Sequence, residues 1–453
     1  MEHQVTLQEM LEARERRAFP RLKHELLAAH RAPLISFTMN IAGPVKDSPL
    51  IREGFELGLR LLRKRLAAAK IPVLHFEEIR AAAGNEAFYV LDAPLLRIKE
   101  ITCDLEDGSS LGRLFDMDVI AVDGRKADRS ELGLGPRPCL ICGGPARECA
   151  RSRTHTVAEL QTETDRRLRE GVCAADAKDA ARLACQALLY EVGTTPKPGL
   201  VDRENSGSHR DMDIFTFFSS SSALWPYFET CARIGRETAD DPAPETFRRI
   251  RPAGRQAEAD MLAATGGVNT HKGAIFSLGI LCAAMGRLPR SFWRSSDRLL
   301  KECAAMAHGL VEQDFGGLTE ENACTVGQKL YLRHGITGIR GQVEAGFPAV
   351  SQAGLPTLKK GLSAGLSLND AGCAALLALM TAATDTNLIA RSSLETQKQT
   401  VSRIRGLLEG QPFPDGETLR RLDREFTEDH LSPGGSADLL AICYLLYFLE
   451  REE

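Results

Sequence analysis

Two aspartates in the first half of the chain are spaced so that a strand would present both on one face. The stretch GRLFDMDVIAV covers residues 112–122 and contains Asp116 and Asp118. Side chains two positions apart on a strand point to the same side of a sheet. Two carboxylates in that arrangement can hold divalent ions that orient a triphosphate for nucleotidyl transfer. The alternative interpretation is a charged strand edge that faces solvent.

A predicted connection from a strand to a helix precedes this pair and has the features of a phosphate site. In TMNIAGPVKDSPLIREGFELGLRLL, which begins at Thr38, the sequence Asp-Ser-Pro at 47–49 marks a helix start. Lys46 and Arg52 flank the unpaired N–H groups of that first turn, where the helix dipole also favours an anion. The functional interpretation is a polyphosphate clamp, and the alternative is an ordinary capped helix with solvated charges.

A cysteine-rich segment follows with the residue types that zinc prefers. Its potential ligands are Cys139, Cys142, Cys149 and His155, of which only the first two form a closely spaced pair. Arginines surround these residues. The segment is therefore either a structural zinc site or a reduced cysteine-rich turn beside a basic patch that docks an acidic partner.

A polar segment in the second half concentrates charged residues between prolines and glycines. EVGTTPKPGLVDRENSGSHRDMDIFTFFSSS contains Lys197, Asp202, His209, Asp211 and Asp213, and it is too polar and too interrupted to form core. A long irregular connection of this kind usually carries function. Its acids can ligate Mg²⁺, and its lysine and histidine can meet phosphate. The alternative is a capping network that joins helices.

Further helix starts in the second half combine small residues with charge. GGVNTHKGAIF begins at Gly266 and contains Asn269, His271 and Lys272, while LNDAG and SPGGSADLLA begin at Leu368 and Ser432. Each predicted helix start can present free N–H groups to an anion. DTNLIARS adds Arg391, although an arginine of this kind is more often a salt-bridged surface residue. The second half is therefore predicted to be an enzyme with several acids and several phosphate sites.

The whole chain is long enough for two or three folded cores. It has 453 residues and a net charge of −4, so it lacks the bulk positive charge of a nucleic-acid-binding protein. Its apolar runs are too short for a membrane span. The N-terminal MEHQVTLQEMLEARERRAF has no apolar core and no small-residue cleavage site, which excludes a secretory signal and predicts a cytoplasmic protein.

The pattern of apolar residues changes between the two halves. The first half mixes helical and strand-like periods, which predicts an α+β domain, whereas Ala, Leu and Cys recur at helical spacing in the second half and predict an all-α domain. A charged, small-residue stretch at 168–179 places the boundary near residue 172, with domains 1–171 and 172–453. The predicted elements of the first half are helices over 4–27 and 50–69 and strands over 34–41, 87–91, 95–102 and 114–122.

Long motifs in each half resemble two known enzyme families. The first half resembles the transferase that attaches the prosthetic group to the acyl carrier protein of citrate lyase, and the second half resembles triphosphoribosyl-dephospho-CoA synthase. The motifs of the first half are NIAGPVKDSPLIR, GRLFDMDV and CLICGGPARECARSRTH. Those of the second half are TTPKPGLVDRENSGSHRDMD, GGVNTHKGAIFSLG, TEENACTVGQKLY, LNDAG, DTNLIARS and PGGSADLLA.

This resemblance implies a natural fusion of two enzymes that act in sequence. The second domain would condense ATP with 3′-dephospho-CoA and release adenine. The first, a nucleotidyltransferase-type domain, would then transfer the phosphoribosyl-dephospho-CoA group to a serine of the carrier protein and release pyrophosphate. The substrates would be ATP and 3′-dephospho-CoA with Mg²⁺, and the partner would be the acyl carrier protein subunit of citrate lyase, with no nucleic acid or membrane involved.

The resemblance also assigns expected roles to the residues. In the first domain, Asp116 and Asp118 would hold Mg²⁺ as the serine attacks, with Lys46 and Arg52 on the departing pyrophosphate. In the second, Asp211 and Asp213 would bind Mg²⁺, and Asp202 and His209 would be catalytic. The remaining expected phosphate or substrate ligands of the second domain are Lys197, Asn269, His271, Lys272 and Arg391.

Two other functions are consistent with the same motifs. One is the equivalent pair of reactions for malonate decarboxylase, whose prosthetic group has the same structure. The other is a non-catalytic adaptor that docks a carrier protein through the cysteine and arginine segment. The acids at 116, 118, 211 and 213 argue against the adaptor, because docking alone does not need them.

Overall fold

The computed structural model describes residues 5, 6, 8 and 21–451, and for residues 21–24 it describes the backbone only. The chain forms two compact units, one ending at Ala175 and the other beginning at Asp176. Most of the helix predicted over 4–27 lies outside the described residues. No helix among those described combines the length and the apolar composition needed to cross a bilayer.

The first unit is built on an antiparallel sheet of four strands among the described residues. The strands are β1 (Leu34–Met39), β2 (Val73–Ile79), β3 (Glu86–Leu91) and β4 (Phe115–Ile120), in the order β2-β3-β1-β4. Its helices are Arg21–His30, Pro49–Ala68, Leu95–Asp107 and Ala146–Ser152, followed by the start of Val157–Gly193. This arrangement agrees with the α+β prediction.

Two elements of the first unit differ from the sequence prediction. The segment 95–102, predicted as a strand, is the start of the helix Leu95–Asp107, because Ile98, Ile101 and Thr102 recur at helical spacing and are buried together. The strand β2 was not predicted. It lies at the sheet edge with Val73 and Leu74 exposed, so it lacks the apolar alternation of a half-buried strand.

The sheet determines where the two sequence-predicted aspartates point. Phe115, Met117 and Val119 of β4 are fully buried in the core, so Asp116 and Asp118 lie on the opposite face. Thr38 of β1 pairs with Asp116 in the ladder. The helix Pro49–Ala68 begins with Ser48 as its N-cap, and this side chain accepts a hydrogen bond from the Ile51 N–H.

The described residues of the second unit form helices joined by loops, with no strand among them, as predicted. After the end of Val157–Gly193 its α-helices are Ile214–Ala223, Trp225–Glu237, Ala243–Ala264, Lys272–Arg287, Ser296–Met306, Leu310–Phe315, Val326–His334, Gly338–Glu344, Leu355–Ser363, Leu368–Ala382, Thr386–Arg391, Leu394–Gly410, Gly416–Glu428 and Gly434–Arg451. The helices Lys272–Arg287, Leu368–Ala382 and Gly434–Arg451 are buried over most of their length and form the centre of one apolar core.

Glycines allow two helices of this core to approach at backbone distance. A Cβ at Gly235 would lie 2.1 Å from the carbonyl oxygen of Ala283, and a Cβ at Gly286 would lie 1.9 Å from that of Ala232. Both distances are far inside van der Waals contact. The helix Lys272–Arg287 is therefore packed directly against the backbone of Trp225–Glu237.

The helix Val157–Gly193 includes the division between the two units. Leu168 and Val172 are buried in the core of the first unit, and Ala180 and Leu188 are buried in the core of the second. The sequence-based boundary near residue 172 lies inside this helix. Its small and charged residues at 168–179 are compatible with a helix as well as with a linker, because alanine is a strong helix former.

Candidate active sites

A cavity of about 340 Å³ in the second unit brings together residues from distant parts of its sequence. Of the sequence-predicted residues, those that line it are Lys197, His209, Asn269, His271, Lys272 and Arg391. The N-terminal ends of the helices Lys272–Arg287 and Gly434–Arg451 also contribute to the wall. The cavity is thus the place in this unit where the predicted cations meet.

Each of these two helix starts already carries a carboxylate of the protein. Asp438 lies so close to the first helix that a Cβ at Gly273 would be 1.9 Å from its Oδ2. Asp385 accepts hydrogen bonds from the N–H groups of Gly435 and Ser436 at the start of the second helix, at 3.2 and 2.7 Å. The positive ends of the helix dipoles therefore face these side chains. The sequence predicted external anions at these two positions.

The carboxyl group of Asp438 has an unusual electrostatic environment. Burial raises its pKa well above the ordinary value, and the nearby carboxylates of Glu191 and Asp385 raise it further. Only the backbone N–H of Ala274 opposes this shift among the main contributions. The group lines the cavity, and its environment favours the protonated form of a carboxyl group that a bound molecule can reach.

A second buried acid in the cavity is paired with a lysine. Glu191 and Lys197 are almost completely buried, and their side chains form a salt bridge. Burial raises the pKa of Glu191, while the charge of Lys197 and its hydrogen bond lower it. The cavity wall therefore contains a salt bridge whose two charges are shielded from bulk water.

Two histidines line the same cavity and have different partners. His271 is buried, its Nδ1 lies 2.6 Å from the Ser220 hydroxyl, and its Nε2 has no hydrogen-bond partner among the described residues. Burial lowers the pKa of His271 to about 3, so it is neutral at pH 7. His209 contacts the Ser432 hydroxyl through Nε2 and Arg391 through Nδ1, and burial is the main cause that lowers its pKa.

The three aspartates of the predicted functional loop have different positions. Asp202 is buried and accepts hydrogen bonds from the backbone N–H groups of Lys197, Glu204 and Asn205, so it organises the loop. Asp213 is the N-cap of Ile214–Ala223. None of the three lines the cavity, and Asp211 is exposed with its Oδ1 4.0 Å from Nδ1 of His209, which does line it.

The contacts of Asp202 lead to a stability prediction. Replacing Asp202 by Ala leaves three backbone N–H groups without their acceptor, so we expect the free energy of unfolding to fall by about 3 kcal/mol. Chemical denaturation followed by circular dichroism measures this change. Asp202→Asn, which retains one carbonyl oxygen, should lose less. Unchanged stability of the alanine variant would contradict the organising role.

The first unit has a smaller cavity of about 190 Å³ beside the predicted aspartates. Thr38, Lys46, Asn85, Glu86 and Asp116 contribute to its wall. The ammonium group of Lys46 donates a hydrogen bond to the carbonyl oxygen of Ile41. The structure therefore brings together Lys46 and Asp116, which are 70 positions apart in the sequence.

Two other predicted residues of this site have protein partners. Arg52 does not line the cavity and forms a bidentate salt bridge with Asp47, with Nε and Nη2 2.9 and 2.8 Å from the carboxylate. Asp118 pairs with Lys126 at 2.5 Å. Asp116 is solvent-accessible yet closely surrounded by protein, and this partial desolvation raises its pKa, with repulsion from Asp118 as the second cause.

The predicted sulfur and nitrogen ligands of the first unit are close together. One ligand atom from each of Cys139, Cys142, Cys149 and His155 lies within 4.8 Å of all the others. Among the described residues, no other group of three or more acids, cysteines and histidines is this compact. The backbone N–H of Gly144 is the largest of the causes that lower the pKa of Cys142 to about 6.

Several residues of the two cavities were not selected from the sequence. Glu191 and Asp438 each lie within a mostly apolar helical run, ALLYEVG and SADLLAICYLL respectively. A single acid near the end of such a run is typical of an ordinary helix end and does not indicate a site. Asn85 precedes β3 and Glu86 begins it, and neither belongs to a motif. The only sequence signal for Asp438 is an acid within five residues of a double glycine at a helix start.

Comparison with known proteins gives matches to both units. Residues 177–453 match the family described as ATP:dephospho-CoA triphosphoribosyl transferase, and residues 5–171 match the family described as apo-citrate lyase phosphoribosyl-dephospho-CoA transferase. The chain is 33% identical to Protein CitXG of Leuconostoc mesenteroides subsp. cremoris over 98% of this chain and 97% of that protein. It is 34% identical to Protein CitXG of Haemophilus influenzae, over 98% and 96%.

A further relative matches the second unit alone. It is 2-(5′′-triphosphoribosyl)-3′-dephosphocoenzyme-A synthase of Pectobacterium atrosepticum, which is 42% identical over 275 residues. The match covers 60% of this chain and 90% of that protein. The second unit thus corresponds to nearly the whole of a separate protein.

Proposed function

Because the chain belongs to the ATP:dephospho-CoA triphosphoribosyl transferase family in its second unit and to the apo-citrate lyase phosphoribosyl-dephospho-CoA transferase family in its first, we propose that its two cavities catalyse two consecutive reactions. The chain is a bifunctional transferase of citrate lyase prosthetic-group synthesis. It condenses ATP with 3′-dephospho-CoA and releases adenine, and it then transfers the product's phosphoribosyl-dephospho-CoA group to a carrier-protein serine and releases pyrophosphate.

The observation that carries the synthase site is the cavity lined by cations around buried acids. Lys272 and Arg391 can meet the triphosphate of ATP as cations, and His209 can meet it as a hydrogen-bonding group, because the three residues line the cavity from separate segments. Asp211, beside His209, is the sequence-predicted Mg²⁺ ligand that we retain, since its carboxylate is exposed and oxygen ligands suit this ion. Bound Mg²⁺ would neutralise phosphate charge there. Asp213 and Asp202 serve the backbone instead.

The reaction of the synthase needs one proton removed and one supplied. The 2′-hydroxyl of dephospho-CoA attacks the ribose C1 of ATP while the bond to adenine breaks, which gives a transition state of oxocarbenium character. Adenine leaves more easily when it is protonated, and we propose that Asp438, whose raised pKa favours its protonated form, donates that proton. Glu191, which forms a salt bridge with Lys197, is the group we propose to accept the hydroxyl proton.

Adenine release is the direct test of the synthase reaction. Purified protein with ATP and Mg²⁺ should release free adenine only after 3′-dephospho-CoA is added, because its hydroxyl is the nucleophile. Chromatography of the products measures adenine against ATP. Coenzyme A carries an additional phosphate on the same ribose and is the matched control substrate. Adenine formed equally without any nucleophile would indicate a hydrolase and would contradict the proposal.

The transferase site in the first unit follows from Asp116 and Lys46 at one cavity. A serine hydroxyl of the carrier protein would attack the α-phosphorus, and pyrophosphate would leave beside Lys46. Asp116 and Asp118 offer the oxygen ligands that suit Mg²⁺, which would stabilise charge on the phosphates. Lys46 lines the cavity, whereas Arg52 does not and is paired with Asp47 in the first turns of the helix. We therefore propose that Lys46, rather than Arg52, contacts the pyrophosphate.

The carrier protein distinguishes this assignment from that of malonate decarboxylase. We propose the acyl carrier protein subunit of citrate lyase as the acceptor, in accordance with the family of residues 5–171. Mass spectrometry of each carrier after incubation with the complete reaction identifies the one that gains the group. Preferential modification of the malonate decarboxylase carrier would reassign the pathway and leave the chemistry unchanged.

A further inference from the structure

The compact group of Cys139, Cys142, Cys149 and His155 takes no part in either proposed reaction. It lies in the first unit, outside the residues that line the cavity of Asp116. We propose that these four side chains bind one zinc ion in a tetrahedral structural site. Three thiolates and one imidazole form a ligand set that zinc favours.

The distances fit a metal site better than a disulfide. Zinc lies about 2.3 Å from each thiolate sulfur, so two sulfurs of a tetrahedral site are about 3.8 Å apart. The Sγ atoms of Cys142 and Cys149 are 3.4 Å apart, whereas a disulfide needs about 2.05 Å. All of the potential ligand atoms lie within 4.8 Å of one another, which leaves room for one ion among them.

The backbone around the cysteines is folded as a turn that directs sulfurs to one point. The N–H of Gly143 donates to the carbonyl oxygen of Cys139, and the N–H of Ile141 lies 3.5 Å from the Cys139 sulfur. Gly143 has a φ of 74°, which a residue with a Cβ rarely adopts. The short helix Ala146–Ser152 then carries Cys149 to the same place.

His155 supplies an independent observation. Its Nε2 is buried and has no hydrogen-bond partner among the described residues. Buried polar atoms without a partner are uncommon, because each costs free energy of desolvation. The unsatisfied Nε2 of His155 lies in a group with three thiols, and a bound metal would give this nitrogen a partner.

The segment around the site has little apolar core of its own. Leu134 and Ile141 are exposed, and Leu140 is only partly buried against the core of the first unit, so burial of side chains contributes little to its order. A bound metal can supply folding free energy to a segment of this kind. The segment also contacts the start of β4, since Arg113 donates to the Pro138 carbonyl oxygen at 2.6 Å and Arg137 donates to that of Arg113 at 3.0 Å. Zinc would thus help to hold the strand that bears Asp116.

Metal content of the full-length protein tests the proposal. Protein purified under reducing conditions and dialysed against zinc should contain one tightly bound zinc ion per chain by elemental mass spectrometry. Cys142→Ser and Cys149→Ser should each lose most of it. Cys324→Ser is the matched control, because Cys324 is exposed in the second unit and should leave the zinc content unchanged.

A second measurement on the unmodified chain guards against variants that do not fold. Bound zinc should protect three thiols from a thiol reagent, and a strong chelator should expose them. Absence of stoichiometric zinc, or the same number of reactive thiols with and without zinc, would overturn the site. Because neither readout uses catalysis, the zinc site can fail while the proposed reactions stand. Adenine release in the cysteine variants then reports whether the second unit remains intact.

Discussion

Asp438→Asn should reduce adenine release by about 10³-fold, which is within the range expected for the loss of a general acid. The substitution keeps the size of the side chain and leaves an oxygen for the Ala274 N–H, so the helix start should persist. The amide cannot donate a proton to departing adenine as the raised-pKa carboxyl group can. Adenine release under saturating ATP, Mg²⁺ and dephospho-CoA gives the rate, and a thermal melt confirms folding.

Variants of the exposed loop separate this role from metal binding. Asp211→Asn should raise the Mg²⁺ concentration needed for half-maximal adenine release, because it removes the charged ligand that we propose beside His209. Asp213→Asn is the matched control, since asparagine is also a good N-cap and the Asp213 carboxylate already accepts hydrogen bonds from the N–H and hydroxyl groups of Thr216. If Asp213→Asn changed the Mg²⁺ dependence as strongly as Asp211→Asn, both acids would be ligands, as the sequence predicted.

Full activity of Asp438→Asn would contradict the proposed role of Asp438 as the general acid.

Asp116→Asn should lower transfer to the carrier protein by about 10²-fold or more, judging from the loss of comparable electrostatic stabilisation. Its carboxylate lines the cavity that also contains Lys46, and the amide has no charge to hold a divalent ion on the triphosphate. The mass of the carrier protein, followed over time with preformed triphosphoribosyl-dephospho-CoA, measures transfer alone. Supplying the intermediate removes any dependence on the synthase.

Asp118→Asn should have a smaller effect on transfer, because Asp118 is partly neutralised by Lys126. Adenine release by both variants should remain normal, since the second unit contains the synthase residues. Asp123→Asn, in an exposed turn of the same unit, is the control for general damage. Equal and normal transfer by Asp116→Asn and Asp118→Asn would mean that the pair is only a charged strand face.

The periodicity of apolar residues predicted most of the fold. The strands β1, β3 and β4 and the helices of the second unit follow it closely, because each of them buries a face or a whole segment in one core. The prediction was wrong at 95–102, where Ile and Thr favoured a strand locally but burial follows a helical period. It also missed β2, because an exposed edge strand has no buried face to give a pattern.

The site was less predictable from the sequence. The spacing of residues identifies side chains within one segment, but it does not show which distant segments the fold brings together. Lys197, His271 and Arg391 were selected by motif and meet in one cavity. The clustered acids of the loop were selected for their density, yet Asp202 and Asp213 satisfy backbone N–H groups. Asp438 and Glu191 belong to different helices and line the same cavity, which only the fold reveals.

The close contact between Gly286 and Ala232 has a consequence for variation far from the cavity. Gly286 lies 13 residues beyond Gly273, which is about 20 Å along a helix. A methyl group added at Gly286 would have to displace one of the two helices. Because a helix is stiff, the displacement would also move its N-terminal end, where His271 and Lys272 lie. Substitutions at Gly235 or Gly286 would therefore impair catalysis by shifting the residues that line the cavity, although neither glycine lines the cavity itself.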